Sequence, residues 1–152
     1  MIKSTRSLLD RLLRPDDPQT DQATDDALKL AVAALLVEVV QADFETSIVE
    51  REQVLGSLAL LLELDADARA ALLELASREI DQAHDLHQFT SRVNEGFTPE
   101  RKLLLLEQLW RVARADQRVH KYEEHLIRRI ADLLHVPHSA FITAKLRSER
   151  PA

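Results

Sequence analysis

Only two glycines, Gly56 and Gly96, occur in 152 residues. Tight β-hairpins draw on glycine for the positive-φ positions of their turns, so a chain this poor in it has few places to fold back as strands. Leu, Ala, Glu and Arg are abundant instead, all at the favourable end of the helix scale. The apolar positions recur at helical spacing over most of the length. The expected fold is therefore all-α, a compact bundle of seven to eight helices.

Start and stop signals divide the chain. Residues 1–14 place Ile2, Leu8, Leu9, Leu12 and Leu13 on one face with Lys3, Arg6, Arg11 and Arg14 around it, a short basic amphipathic helix. "RPDDPQTD" breaks that pattern, because two prolines among polar residues favour an extended connection, so residues 15–21 are assigned to a linker. The body is expected over 22–147, with 148–152 as a tail. Within it, helices are predicted from about Asp21 to Gln41, from Ser47 to about Glu63, and from an Asp65 N-cap to about Ala83. Ser47 and Glu50 match the S-x-x-E capping box. A short helix ends near Gly96, whose missing side chain suits the left-handed position after a helix. Thr98 and Pro99 open the next, which ends near Asp116. The last two run from His120 to about His135 and onward from Pro137. Trp110 and Phe141 fall on apolar faces and are expected in the core.

An offset of 73 residues superposes two halves, setting Leu36 on Leu109, Val39 on Val112, Asp43 on Asp116 and Glu50 on Glu123. "ADFETSIVE" and "ADQRVHKYE" thus describe one event twice: helix end, Asp, short loop, helix start, Glu. Two helical hairpins about a pseudo-twofold axis would bring the two loops near one another.

Composition removes several function classes. A chain of this length typically buries roughly 70% of its unfolded surface, enough for a core without staples. With no cysteine there is no disulfide and no thiolate nucleophile or metal ligand. A net charge of -6 and a pI near 5.5 argue against a nucleic-acid partner. "LAVAALLV" and "LALLL" are far shorter than a membrane span, and the N-terminus lacks the pattern of a secretory signal, so a cytoplasmic location is expected. No serine sits in a glycine-flanked elbow and no glycine-rich phosphate loop exists, so no enzyme activity is expected.

The run "ADQRVHKYEEHLIRRIADLLHVPHSAF", preceded by "LLLEQLWRVA", resembles the tellurite-resistance TerB-like domain family, over roughly residues 22–147. The resemblance implies a compact fold of about seven helices in two related halves. It also implies a divalent-cation site built from Asp43, Glu50, Asp116 and Glu123, with Glu45 and Glu124 as weaker candidates, and a role in stress response or membrane-associated complexes. Family members usually place Gly straight after each Asp; here Phe44 and Gln117 stand there, and either would strain a positive-φ turn.

The same four carboxylates support two readings. Converging without Cys or paired His, they would make a hard oxygen site for Ca²⁺, Mg²⁺ or Mn²⁺. Standing apart, each Glu caps its helix and each Asp occupies a solvated turn. The alternative function is a metal-free module for a protein partner or self-association, and residues 2–14 offer a peripheral contact to an anionic membrane. A remote third reading pairs Asp81 with His84 and Asp132 with His135, a carboxylate-x-x-His echo of di-metal enzymes, with Glu38, Glu63 or Glu107 completing the set.

Overall fold

The structure, a computed structural model, describes residues 20–41, 48–82, 85–115 and 121–151. Seven α-helices occur among them: α1 (Thr20–Gln41), α2 (Ile48–Leu61), α3 (Ala66–Gln82), α4 (His87–Gly96), α5 (Pro99–Ala113), α6 (Lys121–Leu133) and α7 (His138–Ser148). There is no strand among the described residues. The expected helix over 1–14 and most of the 15–21 linker lie outside them.

The repeat survives in the element order, α1, α2 and α3 corresponding to α5, α6 and α7. Equivalent side chains are buried alike: Val32 and Leu105, Leu36 and Leu109, Val54 and Ile127, Leu61 and Leu134. Packing follows the same exchange. α1 lies against α3 as α5 lies against α7, and α2 crosses to α5 as α6 crosses to α1, while α1 and α5 meet each other. α4 joins the halves and packs on α1 and α6.

Local chemistry sets the starts of α3 and α5. Asp65 Oδ1 accepts the Ala68 amide at 2.8 Å, and Thr98 Oγ1 accepts the Arg101 amide at 3.2 Å with Pro99 at the first helical position. The capping box expected at Ser47 and Glu50 falls partly outside the described residues, which resume at Ile48.

Adjacent residues in the first turn of α5 then hold the ends of α2 and α6, the first of them across the halves. The Arg101 guanidinium donates to the carbonyl of Leu61 at the end of α2. Lys102 Nζ donates to the carbonyl of Leu134, just past the end of α6, at 3.1 Å. Both cations face the negative end of a helix dipole and satisfy carbonyls that lack an intrahelical donor.

Two positions depart from expectation. Gly96 is the last residue of α4 and has no positive φ. Its missing side chain serves packing instead, since a Cβ there would stand 2.6 Å from Leu28 Cδ2 on α1. The left-handed residue is His135, at φ 59°. Its amide donates to Asp132 O and the Val136 amide to Ala131 O, both at 3.0 Å, the double bond of a Schellman stop. α6 thereby ends at Leu133 and not at His135.

One buried polar chain crosses the halves. Gln53 Nε2 donates to Ser57 Oγ at 3.2 Å, and Ser57 donates to Gln108 Oε1 on α5 at 2.8 Å. Ser57 and Gln108 are both buried.

His135→Gly is expected to raise the unfolding free energy by about 1 kcal/mol, read from the denaturant midpoint, because glycine removes the steric cost of the left-handed residue. Ser57→Ala is expected to lower it by about 1–3 kcal/mol by stranding the Gln108 carbonyl. Ser57→Ala combined with Gln108→Leu should recover part of that loss.

Candidate functional site

α2 and α6 both pack along α5, and their C-terminal ends are held by neighbouring residues of its first turn. They are of nearly equal length, 14 and 13 residues, so at 1.5 Å per residue each runs about 20 Å back from that shared anchor. Leu61 is held by Arg101 and Ser57 bonds Gln108, so α2 runs antiparallel to α5. Glu124 at the start of α6 reaches Lys145, which lies over Trp110. Both N-termini thus lie toward the end where α5 finishes at Ala113.

Glu50 and Glu123 occupy the third position of α2 and α6 respectively, and each is only 5% exposed. Burial of a carboxylate is costly unless it has a partner. Neither of these two is without one. Equivalent position, equal burial and a shared end of the fold make them a matched pair. Their expected companions Asp43 and Asp116 lie outside the described residues, as do Glu45, Phe44 and Gln117.

The weaker candidate Glu124 is drawn elsewhere, its Oε1 lying 3.6 Å from Lys145 Nζ on α7. Two cations on the last turn of α5 are also turned to α7. Arg114, at the C-cap of α5, donates to Ser148 Oγ at 3.1 Å and to Glu149 Oε1 at 3.2 Å. Arg111 donates to the carbonyls of Arg147 and Arg150, both at 3.0 Å. Trp110 is fully buried beside Phe141, their ring centroids 5.7 Å apart, with Arg114 and Lys145 over the indole, so both aromatics are core residues as expected.

Among the described residues no three His, Asp or Glu side chains gather as a metal centre. Glu50 and Glu123 supply hard oxygen donors suited to a divalent cation, and further ligands would have to come from 42–47 and 116–120. The carboxylate-x-x-His reading loses one of its pairs. Asp132 is exposed on α6, but His135 stands beyond the helix end with a left-handed backbone, so the two do not share a helical face. His84 and the side chain of Asp81 lie outside the described residues. Glu63 is exposed, and Glu107 pairs with Arg111 at 3.3 Å.

Asp26, a buried carboxylate that the motif pattern did not mark, sits on α1 and accepts from Gln22 Nε2 at 3.2 Å. Its signal was available: it continues the stripe of Leu30, Ala33 and Val37. It is one turn from the start of α1's apolar run, far along the helix from the α1–α2 connection.

A family model described as "Tellurite resistance protein TerB" matches residues 29–146, most of the chain. The chain belongs to the TerB family. No curated protein and no solved structure matches it. Membership of the TerB family accounts for the all-α architecture seen here, and the matched segment takes in both halves of the repeat.

Glu38 gives this TerB chain a measurable pH response. It is half-buried on α1, and desolvation raises its carboxyl pKa above the ordinary range. Ionised Glu38 therefore opposes folding at neutral pH. The opposition fades as pH falls through the raised pKa and is gone below the unfolded value of about 4.3. Glu38→Gln is expected to raise the melting temperature at pH 7, with the gain vanishing near pH 4.

Proposed function

We propose that this TerB domain is a non-catalytic binding module that takes up a divalent cation, Ca²⁺, Mg²⁺ or Mn²⁺, between Asp43 and Glu50 of one half and Asp116 and Glu123 of the other. The observation that carries this reading is the pair of equally buried glutamates at equivalent helix starts, both toward one end of the bundle. Capping competes with it but does not exclude it. A carboxylate has two oxygens and about four lone-pair sites, so one oxygen can serve the helix start while the other faces an ion.

A cation held there would bridge the α1–α2 and α5–α6 connections and stiffen one half against the other. That suits a scaffold in a stress-response pathway better than a reaction centre, and the lack of cysteine and of any glycine-rich phosphate loop points the same way. The location we assign is cytoplasmic, with residues 2–14 available to an anionic membrane surface or a protein partner. In support, no helix among the described residues is long and apolar enough to cross a membrane.

Thermal melting with added Ca²⁺, Mg²⁺ or Mn²⁺ tests the reading. At about a hundredfold excess over Kd, preferential binding to the folded form contributes about 2.7 kcal/mol, which for a chain of this size is a rise of about 5–10 °C. Asp116→Asn or Glu123→Gln should abolish the rise. A midpoint indifferent to all three ions would remove the cation and leave the acidic residues as helix caps.

A further inference from the structure

The end of the bundle opposite the Glu50 and Glu123 pair is the end from which α1 starts. Gly96, closing α4, stands against Leu28 of α1, since a Cβ there would come within 2.6 Å of the leucine. The next residue, Phe97, lies beneath the Arg101 guanidinium, 4.9 Å from ring centroid to Cζ, and Arg101 also holds the carbonyl of Leu61. These contacts set the first turns of α1 beside the last turn of α2. Asp26, two residues before Leu28, is therefore at the same end as Leu60, a large apolar side chain that is 57% exposed.

Asp26 is only 4% exposed, and a buried carboxylate is costly without a counter-charge. Gln22 gives it a neutral donor at 3.2 Å, and it has a partner besides Gln22. The described cations nearest this end are turned elsewhere: Lys29 to Asp25, Arg69 to the carbonyl of Leu64, Arg101 to that of Leu61 and Lys102 to that of Leu134. Around them Glu63, Asp65, Asp67, Glu95 and Glu100 are exposed, and none is in an ion pair among the described residues. Even with the exposed Arg92 added to the four bonded cations, acids outnumber cations here. Nineteen residues precede Thr20 and enter α1 at this same end. Their first fourteen carry Lys3, Arg6, Arg11 and Arg14 against Asp10 alone.

We propose that residues 1–14 fold back onto this end of the bundle as an intramolecular clamp, Arg14 answering the buried Asp26 while Leu8, Leu9, Leu12 and Leu13 cover Leu60. The tether is long enough. Pro15 to Gln19 span up to about 17 Å when extended, and Asp26 lies about 9 Å along α1 from Thr20. The prolines at 15 and 18 favour that extended run. Arginine suits the position, because its planar fork can serve both oxygens of one carboxylate. At helical spacing Arg11 falls a turn behind Arg14, toward the exposed acids of the rim. Docked in this way, the segment is withheld from any membrane or protein partner, and either must displace it from the body first. The cation site, at the far end of the bundle, takes no part in the contact.

Limited trypsin digestion of the full chain tests the clamp, cleavage after Arg11 reporting the segment and cleavage after Arg78, on α3, reporting the body. Cleavage after Arg11 should be at least about tenfold slower in the native chain than in a synthetic peptide of residues 1–19. Raising the salt from about 0.05 M to about 0.5 M should speed it in the native chain. Asp26→Asn, Arg14→Gln and Leu60→Glu should each speed it at least about fivefold while cleavage after Arg78 keeps its wild-type rate. If Asp26→Asn opens the body, which faster cleavage after Arg78 would reveal, Arg14→Gln and the exposed Leu60→Glu decide the matter. Wild-type cleavage after Arg11 as fast as in the peptide overturns the proposal, and so does protection that survives both of those variants. Protection that grows with protein concentration overturns it as well, because that is the mark of a contact between copies.

Discussion

α1 has no dry side and wet side over its middle. From Ala31 to Leu36 every residue is fully buried. A helix that is apolar all round must be enclosed, and the remaining elements are arranged as the enclosure. α2 and α3 cover it from its own half, α5 and α6 from the other, and α4 closes the gap between them. Alanines at 27, 31, 33 and 34 let these neighbours approach closely, which is how one helix can be touched by five others. Full burial of a Leu or Val side chain contributes about 1.5–3 kcal/mol, and the enclosed turns of α1 supply Val32, Leu35 and Leu36 to that account.

α5 is the counterpart of α1 but is not a copy of it. Leu35 on α1 is replaced by Gln108 on α5, and Ile130 on α6 corresponds to Ser57 on α2. The two polar residues meet and satisfy one another, so the approximate symmetry is broken at one joint by a hydrogen bond that neither half could form alone. Such a bond contributes little net stability but penalises any other register strongly, because sliding α2 along α5 would bury both groups unpaired. The packing of α2 on α5 is thus more narrowly specified than that of α6 on α1.

Most of the architecture was legible in the residues themselves. Caps at Asp65 and Thr98, the proline at 99 and the helical spacing of Leu106, Leu109, Val112, Ile127 and Ile130 each carry their meaning locally, and α3 and α5 begin where the caps put them. The 73-residue offset also reads directly as paired elements. Legibility ended where a residue's role depends on a distant neighbour. Gly96 looks like a left-handed stop because that is the commonest local use of glycine after a helix, yet its actual reason is Leu28, far away in sequence. At His135 the nearby Pro137 marks a helix stop, but which residue turns left-handed is not written locally; Val136, just beyond it, packs against the core. For the candidate site, spacing alone located Glu50 and Glu123, but their burial and common end follow from how α2 and α6 lie on α5. Nothing in a linear string states that.

The grip of Arg101 and Lys102 on two helix ends has a bearing on the order in which the molecule can be made. During synthesis α1, α2 and α3 emerge before either cation exists, so the carbonyl of Leu61 must wait some forty residues for its donor. The amino-terminal triplet of helices, though it looks like a self-sufficient repeat, is unfinished at that edge until the opening turn of its sister arrives. A duplication of this kind yields two similar parts that are no longer separable, each completing the other.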